Sequence, residues 1–283
     1  MRPTDLTTIP PLRIGAGDLT GIAAATTAQA MLALISPAKT LDYKRPFPDL
    51  PATDARFRDK AETLAGAAAR LSQNKLSELM HISPALAKLN VERFRNFAGA
   101  SERPAIFAFA GDVYAGFEVH SLDEEAIVFA QDHLRILSGL YGVLRPLDRI
   151  KPYRLEMGTR WAPRRRDLYA YWGRAIAEQV EQDLEAAESR TVINLASKEY
   201  WQAVGSRLDP SVRVIEVDFR EPGPDGPRFN TFAGKRARGM MARFICEHRL
   251  DRPEQLKQFD SDGYSFDPKG SDDQRWRFMR APY

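Results

Sequence analysis

The segment with the densest candidate chemistry is Ser138–Gly158, SGLYGVLRPLDRIKPYRLEMG. Gly139 and Gly142 bracket Leu140-Tyr141, and apolar residues with helical spacing stand on both sides of these glycines. Glycine lets a backbone adopt positive φ and approach a ligand closely, and helix N-termini offer unpaired N–H groups to phosphate. The pattern therefore predicts a helix–hairpin–helix element, a device that meets a polyanion backbone without reading base edges.

Basic side chains accumulate directly after the two glycines. Between Arg145 and Arg166 the sequence has eight lysines and arginines against the two carboxylates of Asp148 and Glu156. Such a local surplus can hold phosphate although the net charge of the whole chain is only +3. An ordinary turn followed by solvated arginines is the alternative that composition leaves open. The residues of this segment expected to contact a polyanion are Ser138, Gly139, Tyr141, Gly142, Arg145, Arg149, Lys151 and Arg154.

A second basic cluster and two lysines extend this candidate surface. Lys235, Arg236 and Arg238 fall in a segment of helical spacing, KRARGMMARF. Lys39 in SPAKT and Lys198 in NLASKEY each follow a predicted strand directly, where α/β proteins place ligand-binding groups. We expect all five to share one basic cleft with the glycine segment, and an ordinary surface position is the alternative for each.

Two carboxylates could carry acid–base chemistry. Asp112 lies in GDVYAG after an apolar segment, and Glu156 lies among the arginines of PYRLEMG. With Lys39 and Lys198 they are the candidate catalytic residues of an enzyme that acts on a small anionic or nucleotide-like substrate. A turn or helix cap at Asp112 and an arginine partner at Glu156 are the non-catalytic alternatives.

The composition excludes several classes of protein. The 283 residues include 43% hydrophobic side chains, enough for a sizeable core, and no apolar run long enough to span a membrane. One cysteine, Cys246, rules out an internal disulfide and fits the reducing cytoplasm. The four histidines lack metal-ligand spacing, and no Walker A, GxGxxG, GxSxG or HExxH motif occurs. We expect no metal and no cofactor.

Strands and helices alternate from Met31 onward. Ser83-Pro84 predicts a helix start, with serine as N-cap and proline at the first helical position. No clean βαβ series emerges, so we expect one α/β (α+β-like) domain over residues 31–283, a mixed central sheet surrounded by helices. Residues 1–30 are interpreted as an extension outside it, a disordered tail or a stretch before the true start. Apolar runs predict strands at 31–35, 105–109 and 191–195, and 3.6-residue spacing predicts helices at 54–72, 123–137, 167–187 and 235–248.

Six segments, in the same order along the chain, resemble the bacterial peroxide stress YaaA family. Such long ungapped strings are highly specific, and they extend from about Met31 toward the C-terminus. They are LISPAKTLDY (Leu34–Tyr43), GDVYAG (Gly111–Gly116), FAQDHLRILSGLYGVLRPLD (Phe129–Asp148), PYRLEMG (Pro152–Gly158), NLASKEY (Asn194–Tyr200) and AGKRARGMMARF (Ala233–Phe244).

The resemblance implies properties that spacing alone does not show. It implies a single α/β domain with a positively charged cleft and a helix–hairpin–helix element. It also implies a cytoplasmic protein that binds double-stranded or branched DNA, takes part in recombinational repair and peroxide protection, and keeps free intracellular iron low. The family brings no established reaction, so we favour a DNA-binding protein without membrane association over an enzyme. An enzyme with a small anionic ligand in the same cleft is the alternative.

Overall fold

The apolar segment Met31–Ile35 forms a strand, β1, that is buried along its whole length and has a strand on each side. One neighbour is β6 (Leu134–Ser138) and the other is β9 (Thr191–Leu195), and both run parallel to β1. Strands that are covered on both faces have continuous apolar runs, which explains why MLALI and TVINL are recognisable in the sequence. Both predicted strands are confirmed.

The structure, a computed structural model, describes residues 30–281. The proposed extension 1–30 lies almost wholly outside the described residues. The remaining strands are β2 (Thr40–Leu41), β3 (Thr53–Asp54), β4 (Arg103–Pro104), β5 (Phe109–Ala110), β7 (Gly142–Leu144), β8 (Asp148–Ile150), β10 (Arg213–Arg220), β11 (Tyr264–Phe266) and β12 (Arg275–Arg280). The α-helices are α1 (Arg58–Ala68), α2 (Gln73–Met80), α3 (Pro84–Arg95), α4 (Ala105–Ala108), α5 (Asp112–Phe117), α6 (Glu124–His133), α7 (Leu168–Trp172), α8 (Ala175–Ala186), α9 (Lys198–Trp201) and α10 (Thr231–Glu247).

The central sheet has seven strands in the order β11-β12-β10-β9-β1-β6-β7. Its five inner strands, from β12 to β6, are parallel, and β11 and β7 add antiparallel edges. Two small sheets, β2-β5 and β3-β8-β4, lie beside it. This arrangement confirms the expected α/β domain with a mixed central sheet and surrounding helices.

Two glycines let the helix α10 cross α5 with the two backbones in direct contact. A Cβ on Gly239 would lie 1.8 Å from the carbonyl oxygen of Val113, and one on Gly116 would lie 2.1 Å from that of Arg236. Any side chain at these positions would push the two helices apart, because buried interiors are close-packed. The basic N-terminal half of α10 is thereby held next to Asp112 at the start of α5.

Three predicted elements differ from the structure. Residues 105–109, expected as a strand, form the short helix α4 followed by β5. The helix predicted over 123–137 ends at His133, since Leu134 already begins β6. The helix predicted over 167–187 is interrupted at Gly173, which has a φ of +51° and separates α7 from α8.

The helix–hairpin–helix element predicted at Ser138–Gly142 is wrong. This segment is a tight β-hairpin in which β6 and β7 pair antiparallel, with Ser138 opposite Gly142. Gly142, the first residue of β7, has a φ of +70°, a left-handed conformation that glycine adopts without steric cost. The LRILS strand is buried throughout, and a short apolar run of this kind cannot be told from a buried helix by its periodicity.

Two helices joined by a short turn occur elsewhere in the chain. The helices α2 and α3 pack together, and only the residues from His81 to Ser83 separate them. His81 ends α2 in the left-handed conformation with a φ of +51°, and the Ser83 hydroxyl accepts a hydrogen bond from the backbone N–H of Leu86. The helix start predicted at Ser83-Pro84 is confirmed, and it belongs to this helix pair.

Candidate functional site

The order of strands in the central sheet creates a crevice at the carboxyl end of β1. From β1 the chain passes to β6 on one side and later returns to β9 on the other side. At such a topological switch point the connections leave in opposite directions, and α/β proteins bind ligands in the gap between them. The backbone N–H of Ser197 donates a 2.8 Å hydrogen bond to the Ser36 hydroxyl, which ties the ends of β1 and β9 together.

A groove with a volume of about 870 Å³ involves residues just beyond this edge. The loop after β1, the helix α2 and the segment after Tyr153 all contribute side chains to it. The groove therefore combines parts of the chain that are far apart in sequence. Its charged and polar lining residues are Lys39, Lys75, Glu78, His81, Arg154, Glu156, Thr159, Arg160 and Glu199.

The Glu156 carboxylate is the most constrained group in the groove. Its Oε1 accepts a hydrogen bond from Arg154 Nε at 3.0 Å and forms an ion pair with Arg154 Nη2 at 2.9 Å, and Lys39 Nζ lies 3.5 Å away. Its Oε2 is buried and has no hydrogen-bond partner among the described residues. Only 14% of the side chain is exposed. One oxygen is thus held by two cations, and the other is an unused acceptor.

The β-hairpin after β6 supports the segment that carries Arg154 and Glu156. The Ser138 and Tyr153 hydroxyls are hydrogen-bonded at 2.6 Å, and Tyr141 Oη accepts from the backbone N–H of Lys151 at 3.0 Å. A Cβ on Gly139 would lie only 2.2 Å from the carbonyl oxygen of Leu155. Gly139 is therefore needed because the hairpin backbone lies directly against the backbone of Leu155.

Burial determines the role of the hairpin residues. Ser138 is fully buried, Tyr141 is 3% exposed, and Gly139 and Gly142 are also buried. Burial raises the pKa of the Tyr153 hydroxyl well above its ordinary value, which keeps it protonated beside Ser138. The four hairpin residues expected at a polyanion surface are placed beneath the groove, where they fix its wall.

Three of the basic residues that follow the hairpin lie outside the groove lining and are paired with carboxylates. Arg145 forms a 3.0 Å ion pair with the buried Asp148, and Arg149 forms a 2.8 Å pair with Asp54. Lys151 donates to the carbonyl oxygen of Ala98 and lies 3.9 Å from Glu102. These pairs stabilise the small β3-β8-β4 sheet. Among the arginines and lysines singled out in this segment, Arg154 alone lines the groove.

The other candidate residues lie around the carboxyl edge but in separate places. Lys198 and Arg238 line a smaller cavity of about 180 Å³, in which burial lowers the pKa of the Arg238 guanidinium. Lys235 forms an exposed 3.6 Å ion pair with Asp112, and Arg236 lines a further cavity beside α10. The groove therefore brings Lys39 and Glu156 together without Asp112 or Lys198. Its three ion pairs, Lys39–Glu156, Arg154–Glu156 and Lys75–Glu78, also give it both signs of charge, in contrast to a uniformly basic cleft.

Several groove residues were not singled out in the sequence. Lys75 and Glu78 form a 3.0 Å ion pair on α2, Glu199 accepts a hydrogen bond from the backbone N–H of Gly158, and Arg160 makes no ion pair with the described residues. The Ser83 cap before α3 signalled that helix but not its position in space, and α2 was not predicted. Nothing in the local spacing of Lys75 or Glu199 distinguishes them from surface residues.

Cys246 is fully buried within α10, and burial raises the pKa of its thiol far above the ordinary value. The thiolate is the reactive form, so we expect native protein to resist both iodoacetamide and hydrogen peroxide at this residue. Intact-mass measurement before and after unfolding in denaturant tests this expectation. Rapid alkylation of the native protein would contradict it.

Two further features bear on classes of function. Among residues 30–281, no helix combines the length and apolar character needed to cross a bilayer. Within the same described residues, no three histidine, cysteine, aspartate or glutamate side chains are grouped so that they could hold a metal ion.

Comparison with known proteins gives one family model and several relatives that match most of the chain. A family model described as "Peroxide stress protein YaaA" matches residues 31–270. A UPF0246 protein of Rhizorhabdus wittichii is 59% identical over 252 residues, which cover 89% of this chain and 100% of the relative. A UPF0246 protein of Jannaschia sp. is 50% identical over 89% of this chain and 97% of its own length. A UPF0246 protein of Idiomarina loihiensis is 46% identical over 89% of this chain and 99% of its own length.

Proposed function

Because the chain belongs to the peroxide stress protein YaaA family, we propose that it protects DNA during peroxide stress by binding the phosphate backbone. Binding of this kind tolerates any base sequence and suits double-stranded or branched DNA in the cytoplasm. We propose that the protein acts in DNA protection and repair. The proposed limitation of free intracellular iron is indirect, a consequence of the stress response that needs no iron site on the protein.

The observation that carries this proposal is the groove beside the α2–α3 helix pair. Lys39, Lys75, Arg154 and Arg160 line it from three separate segments, and the side chain of Lys39 is 66% exposed. Cations that reach one groove from several segments can contact successive phosphates along a strand.

The charge balance of the groove sets the expected strength of binding. Lys75 and Arg154 already have carboxylate partners in Glu78 and Glu156, whereas Arg160 makes no ion pair with the described residues. Lys39 also lies 3.5 Å from Glu156, so a phosphate must compete with these carboxylates for three of the four cations. We expect moderate affinity that depends steeply on salt, because most of its free energy comes from released counterions.

A mobility-shift series with duplex, bubble and junction DNA tests the proposal. Between about 50 and about 200 mM salt, we expect log affinity to fall linearly with log salt, with a slope of about −3 to −4 for three to four phosphate contacts. Duplexes of unrelated sequence should bind alike. Absence of binding to all three DNA forms at the lowest salt would overturn the proposal.

A further inference from the structure

The strand β10 has a row of charged side chains on one face although it lies inside the central sheet. Glu216, Asp218 and Arg220 alternate with three buried apolar residues. The strand has a parallel neighbour on each side, β9 and β12. Inner strands of parallel sheets are usually apolar on both faces, because both faces are covered. The polar face of β10 therefore needs an explanation other than packing.

A cavity of about 180 Å³ borders this polar face. The strand register places Asn194 of β9 and Arg275 of β12 on either side of Glu216, and all three line the cavity. Lys198 at the start of α9 and Arg238 of α10 also line it. Pockets for drug-sized ligands have volumes of about 300 to 1,000 Å³. The cavity is smaller than these and suits a single small group.

Both carboxylates of the cavity are already paired with arginines. The two oxygens of Asp218 each accept from Arg220 Nε at 2.9 Å. Glu216 Oε2 accepts from Arg275 Nη2 at 3.1 Å. Each pair has no net charge, so the charge of the cavity is determined by its remaining cations.

Three donor groups of the cavity have no acceptor. Within the part of the chain that the structure describes, neither the Arg238 guanidinium nor the Lys198 ammonium makes a hydrogen bond or an ion pair. Asn194 Oδ1 accepts from the backbone N–H of Ala196 at 3.0 Å, which orients the amide. Its Nδ2 makes no hydrogen bond to the described residues. The cavity thus has two unmatched positive charges and a neutral donor.

These donors are accessible to a ligand. Among the described residues, Glu156 Oε2 is the one side-chain polar atom that is both sealed from solvent and without a partner, so the nitrogens of Arg238 and Asn194 are not closed off. Burial lowers the pKa of the Arg238 guanidinium, and the nearby Asp218 opposes this shift. A cation desolvated without a counter-charge raises the free energy of the folded protein. A bound anion would reduce this cost.

We propose that this cavity binds one doubly charged phosphate group, either free phosphate or the phosphate end of a monoester. Arg238 and Lys198 match its two charges, and Asn194 Nδ2 adds a third donor. A phosphodiester within a DNA strand has one charge and continues on both sides, so it suits so small a cavity less well. The site shares no lining residue with the groove around Glu156, and the inference is independent of the proposed DNA binding.

Isothermal titration of the full chain at about pH 8, where phosphate monoesters are doubly charged, tests the inference. The probes are inorganic phosphate, methyl phosphate and the diester dimethyl phosphate. We expect one or both of the first two to bind, and dimethyl phosphate to bind more weakly. Binding of inorganic phosphate alone identifies the free ion as the occupant, and binding of methyl phosphate identifies the monoester. Absence of binding by both, or equal affinity for dimethyl phosphate, would overturn the inference.

The variant Arg238→Met assigns the binding to this cavity. It should weaken phosphate binding at least about tenfold, because it removes a charge-assisted hydrogen bond. Lys198→Met, at an exposed position, should weaken binding in the same direction. The control Arg174→Met removes the same charge from an exposed ion pair beside α8 and should leave the affinity unchanged. Wild-type affinity in Arg238→Met would refute the assignment.

Thermal unfolding distinguishes a binding role of Arg238 from a structural one. Without phosphate, Arg238→Met should unfold at the same temperature as wild type or at a higher one, because an unmatched cation has been removed. Phosphate should raise the Tm of wild type and of Arg174→Met, but have little effect on that of Arg238→Met. A lower Tm of Arg238→Met in phosphate-free buffer, or an equal rise with phosphate, would contradict the proposal.

Discussion

Replacing Lys39, Lys75 and Arg160 together with glutamate is expected to weaken duplex DNA binding by about two orders of magnitude at roughly 0.1 M salt. The slope of log affinity against log salt should become shallower by about three, because three cations no longer neutralise a phosphate. These three cations line the groove beside the α2–α3 helix pair. Mobility shifts of one duplex across a salt series measure both quantities.

A triple variant at the opposite edge of the sheet is the matched control. Arg190 and Arg213 stand at the amino ends of β9 and β10, and Lys257 lies over the aromatic rings of Phe266 and Trp276. Glutamate at these three basic positions makes the same change in net charge. Equal reductions of DNA affinity in both variants would show that net charge, and not the groove, determines binding.

Removal of the Asp183 carboxylate is expected to destabilise the protein by about 3–5 kcal/mol. Asp183 Oδ2 accepts from Arg135 Nε at 2.5 Å and from Arg56 Nη1 at 2.6 Å, and the side chains of Arg135 and Asp183 are each 5% exposed. Burial lowers the pKa of the Arg135 guanidinium, and Asp183 opposes that shift. Asp183→Ala leaves a buried cation without its counter-charge, and urea unfolding measures the decrease in stability.

Two comparisons make this stability result specific. Glu178→Ala breaks an exposed 3.5 Å ion pair with Arg174 on the same helix and should cost no more than about 0.5 kcal/mol. Replacing both buried partners, Arg135→Met with Asp183→Leu, should restore part of the stability, because neither charge is then buried. A decrease below about 1 kcal/mol for Asp183→Ala would contradict the buried-pair interpretation.

The sequence was most informative where one local rule decides the structure. The serine cap and proline at the start of α3 and the continuous apolar runs of β1 and β9 are local features, and the structure has them as expected. The family strings likewise indicated the correct family. By contrast, LRILS could not be assigned from its own pattern, because its strand conformation depends on β1 as a neighbour.

The groove was less accessible to sequence reasoning because its parts meet only after folding. Arg149 appeared as an available cation, but its partner Asp54 comes next to it only when β3 lies beside β8. Arg160, by contrast, has an exposed side chain, and its charge remains available to a ligand. Counting charges along a segment gives its total charge, but not which of those charges remain available to a ligand.

The central position of β1 also has a consequence for synthesis of the chain. Met31 pairs with Thr191, so β1 leaves the ribosome long before its partner β9. At about 5–20 residues per second, the interval is on the order of ten seconds. Until β6 and β9 have both emerged, MLALI is an apolar strand with at least one unpaired edge, of the kind that aggregates. We therefore expect nascent chains truncated before residue 191 to bind chaperones strongly, and longer chains to be released.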